Sequence, residues 1–96
     1  MARWVCVFED GPEMLSIRQQ RRALHHEFLR RNAARIRRAG ALCPRPDSPP
    51  TGALWLLDVE SWAEAVALIE QDPYFDRRYR RYELYEWKWA LDYPIE

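Results

Sequence analysis

The chain of 96 residues has only two cysteines, Cys6 and Cys43, and neither has a His, Cys or acidic partner at metal-ligand spacing. Its three glycines are scattered, so no loop is built to cradle phosphate. The two histidines, His25 and His26, are neighbours with no HxH or HxxxH spacing, which makes a poor metal site. No Ser or Cys is placed as an obvious nucleophile. Neither a metal nor any other cofactor is therefore expected. The first apolar run, Trp4 to Phe8, turns acidic at Glu9 and Asp10, too soon for the core of a signal peptide or a membrane helix. The expected location is the cytoplasm, where both thiols would serve as small, buried apolar side chains.

Charge of one sign is also lacking. Fifteen basic and fifteen acidic side chains cancel, which gives no reason to expect nucleic acid or an anionic membrane as partner. The charges are segregated: Arg18 to Arg38 is basic, and Asp58, Glu60, Glu64, Glu70 and Asp72 form an acidic counterpart that can satisfy it within one molecule. Apolar surface, by contrast, is plentiful. Hydrophobic residues make up 48% and aromatics 14%, too much for a disordered segment and too interrupted for a membrane span. Residues 1–96 read as one domain whose limited core would gain from dimerisation.

WVCVF, Trp4 to Phe8, followed by Glu9-Asp10-Gly11-Pro12, predicts a strand and a turn. From Glu13 to Ala39 there is no Pro or Gly, and Ile17, Leu24, Phe28 or Leu29, and Ile36 fall at helical intervals, predicting one long helix stopped by Gly40. Ala41 to Cys43 allows a short strand, and the proline-rich stretch from Pro44 to Gly52 reads as a long hairpin connection. Ala53 to Val59 is a strong strand. Ser61, with Glu64 three residues on, caps a second helix with Trp62, Ala65, Val66, Leu68 and Ile69 on its core stripe. Asp72-Pro73 ends it, a single helical turn spans Tyr74 to Tyr79, and a last strand carries Tyr85, Trp87 and Trp89 on one face.

The order βαββαβ fits an α+β, ferredoxin-like fold: a four-stranded antiparallel sheet with both helices on one face. WVCVF and LWLL do not alternate polar with apolar, so the second face also needs cover. A second copy of the chain is the natural cover, through faces carrying Trp4, Trp55 and the Tyr85, Trp87, Trp89 strand.

Adjacent helical residues point about 100° apart, which argues against His25 and His26 serving one site. Arg18, Arg22, His25 and Leu29 share a stripe, while His26 falls toward the polar face. Spacing alone leaves His25 open between a structural hydrogen bond and a functional role. Asp72 before Pro73 is equally well explained as a helix cap.

A resemblance adds to this reading. SIRQQRRALHHEFL (Ser16 to Leu29), AGAL (Ala39 to Leu42), GALWLLDV (Gly52 to Val59), QDPYF (Gln71 to Phe75) and ELYEWKW (Glu83 to Trp89) stand in an order and spacing that resemble the YciI-like (YCII-related) family of the dimeric α/β-barrel superfamily. Ala23 and Glu86 depart from prolines common in that family. The resemblance implies an active pair, His25 with Asp72, in a homodimer that takes a small anionic molecule. An imidazole held by a carboxylate is fixed in one tautomer and can move a proton through its other nitrogen. Arg22, backed by Arg18, would hold a substrate carboxylate or enolate oxygen. Such a set suits a cofactor-free lyase, isomerase or dehydrohalogenase. The alternative is a noncatalytic small-molecule-binding or accessory dimer, in which the pair would be sealed in the core instead of opening on a pocket.

Overall fold

A computed structural model describes residues 3–91. The elements are β1 (Trp4–Asp10), α1 (Met14–Arg31), β2 (Ile36–Leu42), β3 (Gly52–Leu57), α2 (Trp62–Glu70) and β4 (Arg80–Glu86). The strands form one antiparallel sheet in the order β2-β3-β1-β4. This is the ferredoxin-like α+β architecture expected from the sequence. No helix among the described residues is long and apolar enough to cross a membrane.

Register decides which side chains form the core. Trp4, Cys6 and Phe8 of β1 lie level with Leu57, Trp55 and Ala53 of β3, and Cys6 pairs with Leu84 of β4. All seven are buried, together with Phe28 of α1 and Ala65, Leu68 and Ile69 of α2. Trp55 packs edge-on to Phe8 with ring centroids 5.0 Å apart, and the Trp4 indole N–H donates to the Val59 carbonyl at 3.0 Å. Trp4 and Trp55 therefore belong to the helix-covered face, not to the opposite one expected to meet a second copy. The open face carries Val5, Val7, Leu54 and Leu56, which are half-buried, and exposed Tyr85. β4 stops at Glu86, so Trp87 and Trp89 lie beyond it and pack edge to face against each other at 5.7 Å.

The long helix is the principal correction. α1 ends at Arg31, where the Asn32 amide side chain donates to the Phe28 carbonyl at 2.8 Å and the Ile36 N–H returns to the Asn32 carbonyl at 2.7 Å. Ile36 then enters β2 opposite Leu57 and is buried. Residues 33 to 39 have ample helix propensity, but a helix there would leave the β3 edge unpaired and Ile36 outside the core; tertiary pairing overrides local preference. Gly40 is thus a mid-strand residue opposite Leu54.

Ser61 caps α2 as expected: its hydroxyl accepts from the Glu64 N–H at 3.1 Å. Trp62 and Leu24 are more than half exposed and leave the helix stripes to Ala65, Leu68 and Ile69 and to Ile17 and Phe28. Turns replace the helical turn predicted for Tyr74 to Tyr79. Of the two thiols only Cys6 is buried; Cys43 is exposed.

Candidate active site

β2 brings Ala39 and Ala41 to the helix-facing side of the sheet, level with Trp55 and Ala53 of β3. Small side chains there cannot fill the space beneath α1. A pocket of about 290 Å³ results, walled by Arg18, Arg22, His25, His26 and Leu29 of α1 and by Tyr74 and Arg80, with Pro50 from the hairpin connection at its margin. That volume suits a ligand of roughly one ring.

His25 Nδ1 lies 2.6 Å from Asp72 Oδ1, within a charge-assisted hydrogen bond in which the imidazole N–H donates and the carboxylate accepts. Local sequence places Asp72. After α2, its Oδ1 also accepts from the Tyr74 N–H at 3.2 Å, and its carbonyl accepts from the Phe75 N–H at 2.8 Å, a turn favoured by Asp before Pro73. The turn swings the Tyr74 ring onto His25, stacked at 3.8 Å with an interplanar angle of 8°. The capping and pairing roles of Asp72 thus coexist on one oxygen. Asp72 is 3% exposed, whereas His25 reaches the pocket wall, and Nε2 has no hydrogen-bond partner among the described residues.

The other two residues singled out in the sequence are placed differently. Arg22 is exposed on the pocket wall, with no ion pair among the described residues. Arg18 is occupied: its Nη2 donates to Asp10 Oδ2 and to the Gly52 carbonyl, both at 3.0 Å. His26 also corrects an expectation. It remains exposed but also lines the pocket, its ring 5.7 Å from that of His25.

Sequence reasoning missed Asp10 and Arg80. Strand register makes them partners across β1 and β4, and the Arg80 fork grips the Asp10 carboxylate through Nε at 2.7 Å and Nη2 at 3.1 Å. Arg80 is 2% exposed, and its guanidinium lies over the Phe8 ring at 4.5 Å. Its remaining nitrogen, Nη1, faces Asp72 Oδ2 at 3.7 Å. Burial pushes the Cys6 thiol up to about 12 against the weaker pull of Arg80, which leaves this cysteine protonated and inert. Among the described residues no group of three or more His, Cys, Asp or Glu is arranged to hold a metal.

Burial alone would raise the Asp10 carboxyl, but the hydrogen bonds and charges of Arg80 and then Arg18 together hold it below the usual carboxylate range. A carboxylate depressed in the folded state contributes stability above its unfolded value, about 3.9, and that contribution is lost as pH falls through the folded value. The melting temperature of the native chain is therefore expected to fall below about pH 4, and the fall should be shallower in Asp10→Asn. Thermal melts between pH 7 and pH 2 check this; parallel curves for the two proteins would contradict it.

No functionally curated sequence matches the chain. Among solved structures, the 5-chloro-2-hydroxyhydroquinone dehydrochlorinase of Burkholderia phenoliruptrix, in complex with 2,5-dihydroxybenzoquinone, superposes with a TM-score of 0.74 at 23% identity, covering 88% of this chain and 93% of the other. That likeness is one of fold alone. The family model of the YCII-related domain matches residues 2–88, nearly the whole sequence, and the chain belongs to the YCII-related family.

Proposed function

We propose that this protein is a cofactor-free acid/base enzyme of the lyase, isomerase or dehydrohalogenase type, acting on a small anionic molecule through His25 and Asp72. The observation that carries the reading is the 2.6 Å contact between His25 Nδ1 and Asp72 Oδ1, with the other face of the same imidazole on a pocket. His25 Nε2 takes a proton from the substrate. Asp72 holds the ring in the required tautomer and balances the imidazolium charge. The released electron pair is delocalised onto the substrate's conjugated oxygens and then either takes the proton back from the His25 imidazolium at another carbon or expels an anionic leaving group. Arg22 pairs with the oxygen on which negative charge develops. The fold-mate's dehydrochlorinase activity and its bound dihydroxybenzoquinone support elimination from an oxygen-rich ring as the first reaction to try.

The test is chloride release from 5-chloro-2-hydroxyhydroquinone, beside absorbance titration with 2,5-dihydroxybenzoquinone. Release that disappears in His25→Ala supports the proposal. Saturable binding without release, unaffected by His25→Ala, would favour the noncatalytic small-molecule-binding or accessory dimer, a reading drawn from the deep burial of Asp72.

A homodimer forms part of the same proposal. Val5, Leu54, Leu56, Tyr85 and Trp87 make a shallow apolar surface on the sheet face away from the helices, and a second sheet would dry it. Sedimentation equilibrium is expected to give a dimer at micromolar concentration, and Leu56→Glu to weaken it. A stable monomer would remove this element of the proposal.

A further inference from the structure

Arg80 lies between two carboxylates, and it serves them unequally. Its fork, Nε and Nη2, is spent on Asp10 at 2.7 and 3.1 Å. Only Nη1 is turned toward Asp72, and at 3.7 Å from Oδ2 it is too far for a hydrogen bond. Both Nη1 and Oδ2 are buried with no hydrogen-bond partner, a combination that costs free energy wherever it is kept. A rotation of the guanidinium would relieve it by giving Asp72 the bidentate grip that Asp10 now holds. Asp72 would then be committed to arginine, and its hold on His25 would weaken.

Asp10 prevents that rotation. It is clamped from a second side by Arg18, whose Nη2 is itself fixed by the Gly52 carbonyl, so β1, α1, β3 and β4 all hold Asp10 in place. We propose that Asp10 and Arg80 are positioning residues for the His25–Asp72 pair: Asp10 keeps the Arg80 fork occupied, and Arg80, thus restrained, steadies the Oδ2 side of Asp72 while leaving Oδ1 to the imidazole. The inference rests on the acid/base reading of that pair and adds the two residues that keep it available. The other charged or titratable groups facing the pair are Arg18, Arg22 and His26 from α1 and Tyr74 from the turn after α2. None of them reaches Asp72 by a hydrogen bond from its side chain.

Nitrogen-15 and proton NMR of the histidine rings at alkaline pH reads this without a substrate. In the native protein, His25 is expected to carry its proton on Nδ1, with a downfield N–H resonance from the short bond to Asp72 and an unprotonated Nε2. Asp10→Asn frees the fork for Asp72; the downfield resonance should be lost and the ring nitrogens should exchange roles or average. The double variant Asp10→Asn/Arg80→Gln removes the competitor as well, and the resonance should return. A merely structural network gives the opposite order, with the double variant at least as disturbed as the single one. If Asp10→Asn fails to fold, the double variant still decides: it must fold and show the resonance. A double variant that is unfolded, or folded without the signal, overturns the proposal, as does an Asp10→Asn protein with the native spectrum. Absence of the Nδ1–H tautomer from the native protein would instead overturn the acid/base reading itself.

Discussion

On the acid/base function proposed above, replacing Asp72 with Asn is expected to reduce turnover in the chloride-release assay by about 10²- to 10⁴-fold, the range associated with losing a general base or its orienting partner. The amide is the same size and keeps the turn at Tyr74, so the pocket survives. What disappears is the negative charge that balances an imidazolium; the amide Oδ1 still accepts from the Tyr74 N–H, but as a neutral acceptor it holds the Nδ1–H tautomer more weakly than the carboxylate does. Titration with 2,5-dihydroxybenzoquinone should change less than turnover, since the carboxylate is buried behind the ring. The substitution is also expected to lower stability by about 1–2 kcal/mol, because Asp72 is 3% exposed and its loss leaves Arg80 Nη1 facing a neutral group. A protein with native chloride release would remove Asp72 from the chemistry, and a native melting temperature would show that its buried contacts with His25 and Arg80 contribute nothing to the fold.

Gly52→Ala should be by far the most damaging of the three glycine-to-alanine exchanges. Gly52 opens β3 between Glu9 of β1 and Leu42 of β2. A Cβ built there collides with the Phe8 carbonyl, a backbone atom that cannot step aside without breaking the β1–β3 ladder. Overpacking costs about 1–3 kcal/mol, with backbone as the unyielding neighbour placing this case at the upper end, a large share of the stability of a domain this small. The Gly52 carbonyl also anchors Arg18, so any relaxation reaches the Asp10 network. Urea unfolding followed by tryptophan fluorescence checks the size of the loss. A midpoint within experimental error of the native one would mean that β1 and β3 are not so closely apposed.

The element order, the hairpin and the Ser61 cap were legible because each is written in local chemistry: apolar runs, prolines, and a hydroxyl three residues before a glutamate. The end of α1 was not. Ala33 to Ala39 is helix-compatible by itself, and only the unpaired edge of β3 turns it into a strand. His25 and Asp72 emerged from resemblance, since a histidine on a helix and an aspartate before proline each have ordinary explanations. Asp10 and Arg80 had no local signal at all. Asp10 stands in a turn-like Glu-Asp-Gly-Pro, and Arg80 is one of four arginines between residues 77 and 81. Strand register alone selects Arg80 from that run, by placing it opposite Asp10. A buried ion pair between residues 70 apart in sequence is a property of topology, and topology is what a single sequence states least directly.

Ala39 and Ala41 give the pocket its room by what they omit. Both are exposed residues on an edge strand, so neither supports the core that Trp55, Phe8 and Phe28 build. Exchanging either for a bulkier residue would shorten the cleft without disturbing the ion network or the helices. On the proposed function, the length of the pocket can therefore change at β2 while Trp55 keeps its place in both the pocket wall and the core. Relatives sharing this scaffold would then be free to diverge in diet along a single strand edge.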